Sequence, residues 1–257
     1  MPIQDKAGWG GTGAGRAASR QDNVLDAQPC VEYAGVTCEV IRGHPDRREW
    51  VVMPSALPPL PFARHRDLIP LDRCALLVID FQRVFTDPQS RARLPEADGA
   101  LDQARALVSA FRAASRPVVF TRHAHRVSPC GPGIGSWWTH FILDGEPMSA
   151  LDPRLEPAPG ELLIRKEKYS AFFATRLSGW LARRKITTVV LCGVMTHVCV
   201  DTTARDALCR GYDVIVAADA CASKSRLLHE ASLTCLSHAA ARITTVRALT
   251  AALRRRR

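Results

Sequence analysis

A cysteine, an aspartate and a lysine stand in this chain where each can take part in covalent chemistry. Cys199 lies in Thr187–Asp206, TTVVLCGVMTHVCVDTTARD. That stretch opens on a β-branched, apolar run (Thr187–Leu191) suited to a strand buried on both faces, and Gly193 ends the run. Thr196 is then the expected N-cap of a helix through about Cys209, with Val200, Ala204 and Leu208 along one side. Cys199 falls in the first turn of that helix. The positive end of the helix dipole and amides without intrahelical partners both favour a thiolate there, so the position reads as a seat for a nucleophile. Asp80 ends a second apolar run, and Lys166 follows a third. Taken singly each residue is ordinary: a capping aspartate, a solvated lysine, a core cysteine. Their combination is what suggests a site.

The elements that must position them alternate. Candidate strands are Ala75–Asp80, Pro117–Arg122, Glu161–Arg165, Thr187–Leu191, Tyr212–Ala217 and Arg242–Val246. Helical patterns occupy about Ala97–Ala114, Ala171–Arg184, His197–Arg210, Lys224–Ala240 and Leu249 onward. This alternation predicts an α/β protein, a three-layer α/β/α Rossmann-like fold with a mostly parallel six-stranded sheet and helices on both faces. In such sheets the ligand crevice lies beyond the carboxyl ends of the strands. Asp80, Lys166 and Cys199 all follow strand ends and therefore share one rim.

Three segments resemble the isochorismatase-like cysteine hydrolases, in the same order. Gly193-Val-Met-Thr-His-Val-Cys-Val200, followed by Thr203 to Ala207, resembles the family signature with Cys199 at the nucleophile position. Leu76-Leu-Val-Ile-Asp-Phe-Gln82 resembles its first strand with a catalytic Asp80, and Lys166-Glu-Lys-Tyr-Ser-Ala-Phe172 its lysine motif with a catalytic Lys166. The match covers about Leu71 to Val246. The resemblance implies a Cys199–Asp80–Lys166 triad and a cis peptide between Val194 and Met195. No cofactor is expected.

The chemistry explains the residue types. An aspartate within reach of a thiol can take its proton, and a lysine between them holds both. Attack on an amide carbonyl develops an oxyanion, for which the amides of Met195 and Cys199 are the candidate donors. Gln82 is expected either to orient Asp80 or to act as a plain cap. Phe85, Trp137, Trp138, Tyr169 and Phe172 are candidate pocket walls. Relatives that hydrolyse nicotinamide hold a metal through an Asp-x-His…His arrangement. Here Thr121-Arg-His-Ala-His-Arg126 stands in that place without the aspartate, so no metal is expected. Arg122, His123, His125 and Arg126 instead suggest a polar rim that meets a substrate carboxylate. The expected partner is a small carboxamide, carbamoyl or ureido compound. An isochorismatase proper, which needs no thiol, and a non-catalytic binding protein are the alternatives.

Composition sets the outer bounds. At 257 residues with 47% hydrophobic content the chain can bury one sizeable core, with residues 1–70 as a partly disordered extension and 71–257 as the hydrolase domain. Residues 1–29 are rich in Gly, Ala and Ser; Gly8 to Gly13 matches a dinucleotide fingerprint by letter, but no strand precedes it. Val36–Ile41 and Trp50–Met53 are strand-like, and Pro54–Pro61 is a proline-rich connector. The formal net charge is +10. The excess is scattered through 71–257 or gathered at Arg254–Arg257, with no basic stripe interleaved with aromatics, which argues against nucleic acid. No apolar run reaches spanning length and no signal peptide is evident, so no membrane partner and a cytoplasmic location are expected. Nine cysteines in such patterns read as reduced thiols rather than a disulfide framework. A homo-oligomer, dimer or tetramer, is expected.

Overall fold

The computed structural model describes residues 31–33, 36–38, 60, 63, 71–129, 131 and 133–254. Two short strands, β1 (Val31–Tyr33) and β2 (Val36–Cys38), pair antiparallel. The expected strand Val36–Ile41 is thus present over Val36–Cys38, and its other residues lie outside the described ones. Residues 1–29, Trp50–Met53 and most of Pro54–Pro61 lie outside the described residues.

From Cys74 the apolar runs become strands: β3 (Cys74–Ile79), β4 (Val118–His123), β5 (Leu162–Lys166), β6 (Thr188–Val194), β7 (Asp213–Ala222) and β8 (Arg242–Thr244). All six are parallel, in the order β5-β4-β3-β6-β7-β8. Every residue of β3 and β6 is buried, which is why both read as continuous apolar runs rather than alternating ones. The helices are α1 (Arg83–Thr86), α2 (Ala97–Ala113), α3 (Ile134–Trp137), α4 (Leu177–Arg183), α5 (Asp201–Cys209), α6 (Arg226–Ala239) and α7 (Val246–Arg254). Because strand side chains alternate, the sheet feeds two cores. Leu76 and Val78 pack with Leu101, Phe111 and Leu249 of α2 and α7. Ala75, Leu77 and Ile79 pack with Leu181, Ala204 and Leu236 of α4, α5 and α6. The three-layer α/β/α expectation is met.

The chain builds β3, β4 and β5 outward, then returns to the other side of β3 to build β6, β7 and β8. The order therefore reverses between β3 and β6, and a crevice opens beyond their carboxyl ends. At that place the two strands approach closely. Gly193 sits at φ 137°, and a Cβ on it would lie 2.1 Å from the Ile79 carbonyl oxygen, so only glycine fits.

Several boundaries differ from expectation. Strand β6 runs on through Gly193 to Val194 rather than stopping at the glycine. The helix expected from Ala171 begins at Leu177, because the preceding loop is anchored on α5 instead: the Ala171 amide donates to Thr203 Oγ1 at 3.0 Å, and Ala174 turns at φ 52°. The helix expected from His197 comes in two pieces, a π-helical turn (Thr196–Val200) and then α5. Strand β8 is shorter than predicted because the Val246 amide donates to Asp219 Oδ1 at 2.9 Å at the start of α7. Among the described residues no helix is long and apolar enough to cross a membrane.

Candidate active site

The end of β3, the end of β5 and the turn after β6 bring the three expected residues together. The Lys166 ammonium lies 2.6 Å from Asp80 Oδ2 and 3.2 Å from Cys199 Sγ, and it donates a further bond to the Lys168 carbonyl at 3.1 Å. Neither charged side chain reaches water: Lys166 is 0% and Asp80 1% exposed. Asp80 sits at φ 52°, a left-handed conformation that aspartate tolerates better than most residues, and its Oδ1 accepts a 2.6 Å bond from Thr121 Oγ1. Burial disfavours the Lys166 charge, but Asp80 and Cys199 outweigh it and its pKa ends raised. Burial, the largest cause, pushes the Cys199 thiol up to about 12 against the pull of Lys166, with Asp80 pushing the same way as burial. The resting site is thus an ammonium–carboxylate pair beside a neutral thiol.

Cys199 does lie near a helix start, in a π-helical turn rather than an α-helical one, and burial there opposes the thiolate that the position was expected to favour. Thr196 is not a side-chain cap. Its hydroxyl donates to the Ala222 carbonyl at 3.1 Å and lies 2.8 Å from His229 Nδ1. Met195 precedes the turn; its carbonyl accepts from the amides of Val198 and Val200, and its peptide bond with Val194 is cis, as the resemblance implied.

Other expected residues divide. His123, at the end of β4, offers a ring nitrogen to a cluster with Asp80 and Cys199 in which all such atoms lie within 4.8 Å. Its Nδ1 is buried without a hydrogen-bond partner, and its Nε2 lies 3.1 Å from that of His125. Arg122, by strand alternation, faces the other side of the sheet, where its guanidinium pairs with Asp144 at 2.7 Å; it is not free to meet a substrate. Gln82 is fully buried, and it meets Asp80 through backbone alone, its backbone N–H donating to the Asp80 carbonyl at 2.7 Å. Its side-chain amide donates to the carbonyls of His123 (2.9 Å) and Ser149 (2.8 Å) and accepts from the His123 amide (2.7 Å), so it clamps backbone rather than orienting the carboxylate or capping α1. Phe85 is half-buried against the α2 core. Trp138 donates to the Tyr169 hydroxyl at 2.7 Å. Tyr169, Trp137, Lys168, Phe173 and Thr202 line a cavity of about 700 Å³ whose lining does not include the triad. Phe172 is core, stacked on Tyr212 at 5.8 Å.

Sequence reasoning missed Thr121 and Lys168. Thr121 was recoverable, since it shares strand parity with His123. Lys168 contributes only a carbonyl, for which no side-chain signal exists.

Asp80, His123 and Cys199 are the one group among the described residues with metal-ligand spacing. The Lys166 ammonium already touches two of the three, and a cation would have to displace it. The histidines carry a separate consequence. Burial, then the Lys166 charge, lowers the His123 pKa from 6.5 to about 4, and burial also lowers those of His125, His197 and His229. Between those two pH values the unfolded chain binds protons that the folded chain does not, so stability is lost as pH falls. The melting temperature should therefore drop on acidification from pH 6.5 toward 4, and His123→Asn should flatten part of the slope. A melting temperature independent of pH across that window would contradict the shifts.

Residues 74–248 match the isochorismatase domain model, and the chain belongs to the isochorismatase family. It is 37% identical to nicotinamidase 3 of Arabidopsis thaliana over 164 residues, 62% of this chain and 78% of that one. It is 32% identical to maleamate amidohydrolase of Pseudomonas putida over 165 residues, covering 62% and 76%. Among solved structures, an isochorismatase-like hydrolase from Alkaliphilus metalliredigens superposes with a TM-score of 0.63 at 31% identity, over 70% of this chain and 98% of that one. The family and these relatives make the chain a hydrolase.

Proposed function

We propose that residues 71–257 form a cysteine-dependent amidohydrolase that cleaves the C–N bond of a small carboxamide, carbamoyl or ureido compound through a thioester. The observation that carries this reading is the Lys166 ammonium held out of water between the Asp80 carboxylate and the Cys199 sulfur. A neutral thiol beside a carboxylate suits concerted attack: sulfur bonds to the carbonyl carbon as its proton passes to Asp80. The amides of Met195 and Cys199 face the developing oxyanion. As the intermediate collapses, Asp80 returns the proton to the departing nitrogen and the C–N bond breaks, leaving an acyl-Cys199 thioester. Asp80 then takes a proton from water, which attacks the thioester and releases the acid and the thiol. His123, neutral and with an unpartnered nitrogen beside the triad, contacts the substrate, whereas Arg122 does not.

Names among the relatives support amide hydrolysis, nicotinamidase and maleamate amidohydrolase included. Vinyl ether hydrolysis would leave the buried thiol without a role. Ammonia release from a panel of small amides tests the reading, and a panel in which only an enol ether is consumed would refute it. Because the Lys166 ammonium already contacts Asp80 and Cys199, two of the three members of the Asp80–His123–Cys199 cluster, dialysis against chelator should leave the rate unchanged. A loss restored by zinc or iron would make His123 and His125 ligands.

A further inference from the structure

The turn that carries Cys199 is held from behind by residues the reaction scheme does not use. Thr196, fully buried, contacts the Ala222 carbonyl at the end of β7 and His229 Nδ1 on α6. A threonine hydroxyl has one proton. If it goes to the Ala222 carbonyl, which can only accept, the 2.8 Å contact with His229 needs a proton from Nδ1. One proton from each group then satisfies both contacts. Ser232 Oγ, also on α6, lies 2.8 Å from Asp201 Oδ2 and 3.3 Å from the Thr196 carbonyl; its one proton serves the closer carboxylate, which leaves the hydroxyl contacts to fix Thr196. On the neighbouring residue, His197 Nδ1 lies 2.7 Å from Ser223 Oγ. Met195 and Cys199 flank this fixed stretch, so a shift of Thr196 moves both amides.

We infer that His229 is a positioning residue for amide hydrolysis: its Nδ1–H, given to Thr196 Oγ1, sets the Met195–Cys199 turn and so aims the two amides at the oxyanion. The inference rests on the thioester reading above. His229 does not touch the substrate or the triad; it acts through Thr196. The groups whose charges reach it are Glu230 on its own helix and Glu96 before α2. The ring supplies its Nδ1 proton whether neutral or protonated, so the contact survives acidification and the role is geometric.

The test separates geometry from nucleophilicity. Donor misplacement on the ångström scale costs up to about 100-fold in rate, and a partly relaxed turn should cost about tenfold. His229→Ala should lower kcat for the best amide by about tenfold with KM within about twofold. Alkylation of Cys199 by iodoacetamide at pH 8, read by mass spectrometry of its peptide, develops no oxyanion and should stay within about twofold of wild type. His229→Asn places an amide N–H where Nδ1 stood and should recover most of kcat. His229→Leu fills the volume without a donor and should behave as alanine does; it decides the matter if the alanine variant does not fold. Wild-type kcat in the leucine variant, no recovery with asparagine, or equal loss of alkylation and kcat would each overturn the inference. These outcomes are distinct from failure of the thioester reading, in which Cys199→Ala would retain amidase activity whatever residue 229 is.

Discussion

Cys199→Ala should abolish amide hydrolysis, by about 10⁶-fold in kcat if the thiol acts as triad nucleophiles do. The fold should survive, because the sulfur is small and its surroundings already include Ala204 and Val200. The remaining Lys166–Asp80 pair keeps its 2.6 Å contact, so nothing charged is stranded. Acid-quenched wild-type enzyme under turnover should carry an acyl group on the peptide containing Cys199, provided that thioester hydrolysis is no faster than acylation. The reactivity of the resting thiol toward alkylating agents is a poor guide here. Burial holds it neutral, while Cys209 and Cys235 are exposed and should be modified first at neutral pH. Retention of wild-type amidase activity in Cys199→Ala would return the question to an acid-catalysed mechanism centred on Asp80.

Asp80→Asn should be nearly as damaging to turnover and far more damaging to stability. The substitution removes the group that takes and returns the proton. It also leaves the Lys166 ammonium fully buried with only a neutral amide, a thiol and the Lys168 carbonyl around it. Breaking a buried pair by removing one partner costs about 3–5 kcal/mol, because the other charge stays uncompensated. A double change, Asp80→Asn with Lys166→Met, removes both charges and should regain part of that loss while remaining inactive. Urea denaturation of the three proteins reads the effect. Equal midpoints for wild type and Asp80→Asn would show that Lys166 is not held as a buried ammonium. Rate losses from Asp80→Asn and Cys199→Ala should not add, since the two residues act in one step.

The sheet and the meeting of Asp80, Lys166 and Cys199 were legible in the sequence for a physical reason. Strands buried on both faces are written as unbroken apolar runs, and parallel order puts their carboxyl ends on one rim. What was illegible depended on partners far along the chain. Thr196 has the spacing of a cap, yet its hydroxyl is taken by Ala222 and His229, 26 and 33 residues away. Gln82 follows Asp80 by two residues, yet its amide serves backbone at His123 and Ser149. Arg122 could have been withdrawn from sequence alone. If His123 faces the site, period two sends its neighbour to the opposite face, where Asp144 awaits it. The start of α4 could not, because the Thr203 hydroxyl that draws Ala171 into a loop belongs to another helix.

Gly193 carries one further consequence. Its missing side chain lets β6 lie against the Ile79 carbonyl at the point where the two halves of the sheet meet. Asp80 is the next residue after Ile79, and the nucleophile turn begins three residues after Gly193. Backbone contact at a residue outside the triad therefore helps to set the separation of base and nucleophile. A methyl group there would leave Asp80, Lys166 and Cys199 chemically intact and still spoil the reaction, by driving apart the two strands that carry the proton's donor and its acceptor.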